Sequence, residues 1–430
     1  MNRLEFLKSA GALMAAGAFA PSLTNNLFAR PVKANDRLNI ALIGCRNMGW
    51  ADLQDALILP DIRCVALCDV DNHILNDRAK ELNDQTGVKP TLYNDYRKIL
   101  DRKDVDVVMI GTPDHWHCLQ MVDSCAAGKD VYVEKPVANS IGECDLMVAA
   151  AKKYDRVVQV GQQQRSGVMW NNMKRYLQGG NLGRITKVNV WANYEYASIK
   201  NSAPDLDPPF YVDFDMWLGP APLRAYNKNR FHGSWRMFWD YGGGLITDWG
   251  VHLLDMALWG MGVKGMPKRV MASGGIPKGD YAETFGNMSV IYEFDDFILT
   301  WNNSTLEQGP YGRNYGIEFV GTKGCLVANR EGWEVYPFRN KVQAYQEKPD
   351  GMDHRNHVAN FIKHVRNHTR NTACPIENGA LCAKFAHLGN ISARVKSDLV
   401  YDDVRKKFDN KEANKLLIKE YRKPWKRPVL

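Results

Sequence analysis

Long apolar runs are missing from this 430-residue sequence. Its longest stretch of small apolar residues, Ala10 to Ala20, is too short to span a bilayer. Also missing is any Lys/Arg block on an aromatic-interleaved face. With a formal net charge of only +8, that argues against nucleic-acid binding. The basic tail from Lys415 to Arg427 reads as a solvated surface strand. The nine cysteines form an odd set without metal-type or disulfide-framework spacing. Cys45, Cys64, Cys68, Cys118 and Cys125 fall in apolar patterns, as buried small hydrophobes do. There is no internal repeat and no low-complexity tract. What remains is ordinary globular composition, 45% hydrophobic and 24% charged, in a chain long enough for two domains.

The first 35 residues read as a leader. Arg3 and Lys8 flank Phe6-Leu7, and the apolar stretch from Ala10 follows. Asn2-Arg-Leu-Glu-Phe-Leu-Lys8 looks like a twin-arginine export signal whose second arginine has become Leu4. Ala18-Phe-Ala20, followed by Pro21, and Leu27-Phe-Ala29 are the candidate cleavage sites. A periplasmic protein is expected, folded before export around its cofactor, with cytoplasmic retention as the alternative.

Beyond the leader the chain alternates strands and helices. Strand Arg37 to Ile43 runs into Gly44-Cys-Arg-Asn-Met-Gly49, and a helix pattern follows through Leu57. A second apolar run, Cys64 to Cys68, ends in Asp69, twenty residues beyond Gly49. A dinucleotide-binding unit places its ribose-binding acid there. The middle glycine of G-x-G-x-x-G is Arg46, which sets a cation beside the pyrophosphate or the adenosine ribose. Asn47 is a tolerable substitute where positive φ is needed. Helices are expected over Asn72 to Leu82, Leu92 to Leu100, Cys118 to Ala127 and Ile141 to Tyr154, with strands Val105 to Ile110, Asp130 to Glu134 and Val157 to Gly161. That spacing implies parallel βαβ units, with ligands beyond the carboxyl ends of the strands, where Thr112, Lys135 and Gln162 stand.

The most telling pair of segments is Val131-Tyr-Val-Glu-Lys-Pro136 and Gly242-Gly-Gly-Leu-Ile-Thr-Asp-Trp-Gly-Val-His252. Asp248 and His252, four apart, would share one helical face. A Lys, an Asp and a His suit alcohol oxidation by a nicotinamide cofactor. His takes the hydroxyl proton, Asp orients the imidazole, and Lys stabilises the developing alkoxide. His115 and His117 invite a metal reading with His252, but two rings in a turn entering a helix more often cap backbone or meet the cofactor. No metal is expected.

These segments, with Gly111-Thr-Pro-Asp-His-Trp-His117, Trp217-Leu-Gly-Pro220 and His387-Leu-Gly-Asn-Ile-Ser-Ala-Arg394, resemble the Gfo/Idh/MocA oxidoreductases from about Asp36 to the C-terminus. The resemblance implies an α/β fold, a Rossmann-type parallel-sheet domain joined to an α+β domain with a large open antiparallel sheet. The expected divisions are a leader over 1–35, a cofactor domain over 36–162, a substrate and oligomerisation domain over 163–375, and a tail over 376–430. The last helix, Ala380 to Lys396, would pack back on the cofactor domain. Lys135, Asp248 and His252 match the family's catalytic positions. Gly44, Arg46, Asn47, Met48, Asp69, Thr112, Pro113, His117, Glu134 and Gln162 would hold the cofactor, NAD by virtue of Asp69, with NADP possible because of Arg46. The resemblance also implies a dimer or tetramer formed through the open sheet.

From about Gln163 the rhythm changes to alternating runs: Ile185 to Tyr194, Asn287 to Phe294, Ile298 to Trp301, Gly316 to Val320 and Trp333 to Tyr336. Helices are expected over Asp248 to Met261 and His357 to Arg366. Trp235, Arg236, Trp239 and Asp240, just before the glycine cluster, suit a sugar, which offers C–H faces to rings and hydroxyls to polar groups. By the resemblance, Gln164 and Arg165 are further substrate candidates. The favoured function is an NAD(P)-dependent dehydrogenase acting on a secondary hydroxyl, C3 preferred, of a sugar, glycoside or cyclitol. A glycosidase or lyase that oxidises transiently with retained NAD is the alternative, and a non-catalytic sugar or NAD sensor a third. With an ordinary His252, activity should climb through about pH 6 to 8.

Overall fold

The structure, a computed structural model, describes residues 37–430, so the expected leader lies outside the described residues. Its first layer is a six-stranded parallel sheet: β1 (Leu38–Ile43), β2 (Ile62–Cys68), β3 (Thr91–Tyr93), β4 (Val107–Ile110), β5 (Asp130–Val133) and β6 (Val158–Val160). The order is β3-β2-β1-β4-β5-β6. The strand order therefore reverses between β1 and β4, and a ligand crevice opens at the carboxyl ends there. Strands such as Val107-Val-Met-Ile110 are buried throughout, because helices cover both faces. The expected helix over Leu92 to Leu100 is instead the short edge strand β3 followed by a single helical turn, Arg97–Leu100. Three residues at a sheet edge carry no readable period.

The second layer is an eight-stranded sheet. Its strands are β7 (Ile185–Asn193), β8 (Arg269–Gly275), β9 (Asn287–Glu293), β10 (Ile298–Ser304), β11 (Tyr315–Gly321), β12 (Gly324–Asn329), β13 (Gly332–Pro337) and β14 (Tyr345–Glu347). The order is β14-β13-β12-β11-β7-β10-β9-β8, antiparallel except that β7 and β10 run parallel. The expected large antiparallel sheet is present, with this one parallel pair inside it. Alternation marks strands but says nothing about which distant strand becomes a neighbour. β12 escapes an alternation search because all six of its residues are buried.

Two helices tie the layers together. Ile376–Val395 sets Ala380 and Ala383 into the core of the parallel sheet, and Phe385, Ala386 and Leu388 into the core of the large sheet. Asp353–Arg366 starts four residues earlier than expected and buries Val358, Phe361, Ile362 and Val365 against Ile40, Leu42 and Val107 of the parallel sheet. The expected helix from Asp248 to Met261 is in two parts, a π-turn over Ile246–Gly250 and an α-helix over Val251–Met261. All nine cysteines are buried and unpaired.

Candidate active site

The glycine turn after β1 is built as a cradle. Gly44 has φ +86°, and a Cβ there would sit 2.7 Å from the carbonyl carbon of Gly111. A Cβ at Gly49 would sit 2.2 Å from the oxygen of Gly44, so this glycine lets helix Asn47–Leu57 approach the strand ends. Asn47 adopts φ +35°. No side chain caps this helix start, which leaves its first N–H groups and dipole open to an anion. Asp69 ends β2, its oxygens taking the backbone N–H of Cys45 at 2.7 Å and of Asp71 at 3.0 Å.

A cleft with about 1090 Å3 of empty space runs from Asp69 past Gly44, Arg46 and Thr112 to Lys135. Asn47, Met48, Pro113, Glu134, Trp235 and Arg236 also line it. A second cavity, with about 1180 Å3, adjoins it, and Met48, Glu134, Lys135 and Arg236 line both. Asp248 and His252 line only the second. The three expected catalytic residues thus meet where the two spaces join. The cleft fits NAD: a glycine cradle, an uncapped helix start and an acid at the end of β2 stand in sequence along it. A carboxylate at that point accepts a ribose hydroxyl and repels a 2′-phosphate.

Around Asp248 the wiring differs from expectation. Its Oδ1 takes Lys135 Nζ at 2.7 Å and lies 3.2 Å from Arg236 Nε, and its Oδ2 takes the Tyr196 hydroxyl at 2.7 Å. No bond joins it to His252. The π-turn widens the backbone at Asp248, so a spacing of four no longer stacks it beneath His252. Asp248 is therefore the anchor of Lys135, not the orienter of the imidazole. Burial opposes ionisation of Asp248, but Lys135 and Arg236 outweigh it and hold the carboxyl well below its usual range. His252 is 8% exposed, and its Nδ1 is buried without a partner. Burial first, then the charges of Lys135 and Arg330, push this ring well below the ordinary histidine value. The expected climb through pH 6 to 8 is corrected accordingly, because the ring is already neutral throughout that window. Glu134 is buried, accepts from Gln163 at 2.8 Å, and is pushed up to about 8 by burial and by nearby Asp52.

Several expected residues stand away from both spaces. His117 directs Nδ1 at the Pro136 carbonyl and Nε2 at the Thr112 carbonyl, both at 2.7 Å, so it clamps two turns beneath the cleft instead of facing cofactor. Burial pushes it down to about 4. His115 directs Nε2 at the Trp217 carbonyl at 3.0 Å. Among the described residues no group of three His, Cys, Asp or Glu side chains is arranged to hold a metal. Gln162 lines neither space. Trp239 lies under Arg394, at 4.7 Å, and Asp240 pairs with Arg224 at 2.6 Å. Arg165 makes two bonds to Asp255, at 2.8 and 2.7 Å, and both side chains are buried. Sequence reasoning marked these residues by proximity to motifs, and the fold commits them to other partners.

It missed Tyr196, Gln163, His232 and Arg330. Tyr196 arrives on a 3-10 turn (Glu195–Ala197) after β7, and no local pattern announces it. His232 lines the cleft beside Asp69 and bonds Asp71 at 2.7 Å.

A parallel nucleotide fold whose cleft ends on an anchored lysine, beside a cavity that holds an unpartnered imidazole, defines a nicotinamide-dependent oxidoreductase. The chain belongs to the Gfo/Idh/MocA family: residues 38–162 match its model for an oxidoreductase NAD-binding Rossmann fold, and 166–427 its C-terminal alpha/beta domain. It is 28% identical over 172 residues to a glycosyl hydrolase family 109 protein of Shewanella sp. strain MR-4. That match covers 36% of this chain and 37% of the relative, so little more than a third of either is compared. Among solved structures, a levoglucosan dehydrogenase complexed with NADH and levoglucosan superposes with TM-score 0.65 at 20% identity, over 85% of this chain and 99% of that one. The WlbA dehydrogenase of Bordetella pertussis, complexed with NADH and UDP-GlcNAcA, gives 0.63 at 18%, over 85% and 99%. These two likenesses are of fold.

Replacing Arg165 by Met leaves Asp255 as an unpaired buried acid and should lower stability by about 3–5 kcal/mol. Thermal unfolding checks this. A variant with unchanged melting and a raised substrate KM would restore Arg165 to substrate binding.

Proposed function

We propose that this protein is an NAD-dependent dehydrogenase that oxidises a secondary hydroxyl, C3 favoured, of a sugar, glycoside or cyclitol. The observation that carries this reading is the position of Lys135, anchored 2.7 Å from Asp248, where the cofactor cleft joins the cavity holding His252. Bound NAD would supply the hydride acceptor. Lys135 donates to the hydroxyl oxygen as it gains alkoxide character, and Asp248, Tyr196 and Arg236 keep the ammonium in place. His252, uncharged, offers a ring nitrogen to the hydroxyl proton.

A polyhydroxylated substrate is favoured by the second cavity's own chemistry. Besides His252 Nδ1, both amide atoms of the buried Gln164 and Asp353 Oδ1 lack partners there. Each such group costs about 1–3 kcal/mol if left unmet. A sugar brings hydroxyls that donate and accept. The dehydrogenases named above are described with levoglucosan and with UDP-GlcNAcA, in keeping with this substrate class. The name of the Shewanella relative supports the second reading, a glycosidase that oxidises its sugar transiently on retained NAD. Steady release of NADH during turnover separates the two. We also propose that residues 1–35 direct export, on the charged, apolar, small-residue order of that segment. Fused to a reporter, they should carry it to the periplasm, and a reporter left uncleaved in the cytoplasm would refute this.

Lys135→Ala should lower kcat on the order of 10²-fold, since a preorganised donor at a developing oxyanion is lost. Titration with NADH, followed by its fluorescence, should show the cofactor still bound. Near-normal turnover would remove Lys135 from the chemistry.

The buried imidazole titrates only far to the acid side. Wild-type kcat/KM should therefore show no bend from His252 between about pH 6 and 8, the window in which an unperturbed histidine would ionise, and only the bend of Glu134 toward about 8. His252→Asn should lower the whole profile without changing its shape there. A histidine-like rise in the wild type that survives in His252→Asn would assign proton removal to another group.

A further inference from the structure

Arg330 has no role in the hydride step as drawn above, yet it faces the same cavity. It stands at the tip of the hairpin between β12 and β13, in a turn held by the Asn329 side chain, which accepts the Glu331 N–H at 2.9 Å. Its guanidinium lies 4.7 Å over the ring of Trp249, next in sequence to Asp248. Trp249 is itself backed by Tyr194, 4.8 Å away and stacked, and by Tyr315, 4.7 Å away. The guanidinium plane is thus supported on an aromatic shelf. Among the described residues its side chain forms no ion pair and no hydrogen bond, although it lines the cavity with Gln164 and Asp353. Gln164 is 4% exposed, with both amide atoms unpartnered, and Asp353 Oδ1 is likewise buried and unpartnered. Neither Gln164, Asp353 nor Arg330 lines the cofactor cleft.

This set combines a flat cationic donor fork, a two-way amide and a carboxylate acceptor. A carboxylated or sulfated ligand would meet Asp353 and Asp248 in the same cavity, so the set suits neutral hydroxyls. One ring positioned on Lys135 and His252 leaves these groups for a further ring. The cavity's volume of about 500 Å3 exceeds the roughly 300 Å3 at which small-ligand pockets begin.

We infer that Arg330, Asp353 and Gln164 form a second sugar subsite, and that the substrate is a neutral glycoside of at least two rings. This rests on the dehydrogenase reading and narrows it. Arg330 would act as a specificity-determining residue, gripping an oxygen pair on the second ring.

The test measures NADH formation with glucose, cellobiose, maltose and laminaribiose, for wild type and Arg330→Met. Because Arg330 is exposed, the substitution does not threaten the core. Wild-type kcat/KM should be at least tenfold higher for one or more disaccharides than for glucose. That ratio should fall by tenfold or more in Arg330→Met, mainly through KM. Equal use of glucose and all three disaccharides, or a ratio that Arg330→Met leaves unchanged, would overturn the subsite. Oxidation of none of the four sugars would instead strike the dehydrogenase reading, and the subsite with it.

Discussion

The ion pair between Lys135 and Asp248 is the constraint on which the rest of the site depends. The ammonium comes from the end of β5 and the carboxylate from a π-turn 113 residues later, with 9% and 15% of the two side chains exposed. Removing two charges from water is costly, and one left alone costs more than the pair returns. The two elements must therefore meet in one register. Tyr196 and Arg236 reach the same carboxylate from two further segments, so four parts of the chain converge there. The junction of the cofactor and substrate spaces is the geometric result.

Burial assigns the protonation states around that junction. Glu134 and Asp114 are each pushed up to about 8, chiefly by loss of solvent. Asp248 is the acid held firmly ionised, because two cations face it. Burial drives His252 the other way, toward the neutral ring that proton removal requires. The site thus holds a fixed cation beside an uncharged acceptor, which suits a hydroxyl that loses its proton while its oxygen gains negative charge. No helix among the described residues is long and apolar enough to cross a membrane.

The parallel sheet was legible because each of its strands is a short apolar run bounded by turn residues, with helices of readable period between. Gly44, Asn47, Asp69 and Lys135 were legible because backbone conformation or strand-end position dictates their residue type. Asp248 and His252 were found, but their relation was misread: a spacing of four implies one face only in an α-helix, and this turn is a π-turn. Tyr196, Arg330 and His232 were invisible because only the second domain's folding brings them to Asp248, to the second cavity and to the cleft respectively. Arg165, Trp239 and Asp240 stood close to motifs in sequence, yet Asp255, Arg394 and Arg224 hold them elsewhere. Proximity along the chain is a weak guide wherever the backbone turns within a few residues.

The central claim is that hydrogen moves from a sugar carbon to NAD at Lys135 and His252. The most direct measurement mixes NAD-loaded protein with disaccharides deuterated at individual ring carbons and weighs the cofactor recovered after a single turnover. Deuterium from one ring carbon should appear in the reduced nicotinamide for wild type and be nearly absent for Lys135→Ala. Oxidised, unlabelled cofactor recovered from wild type with every labelled sugar would contradict the account.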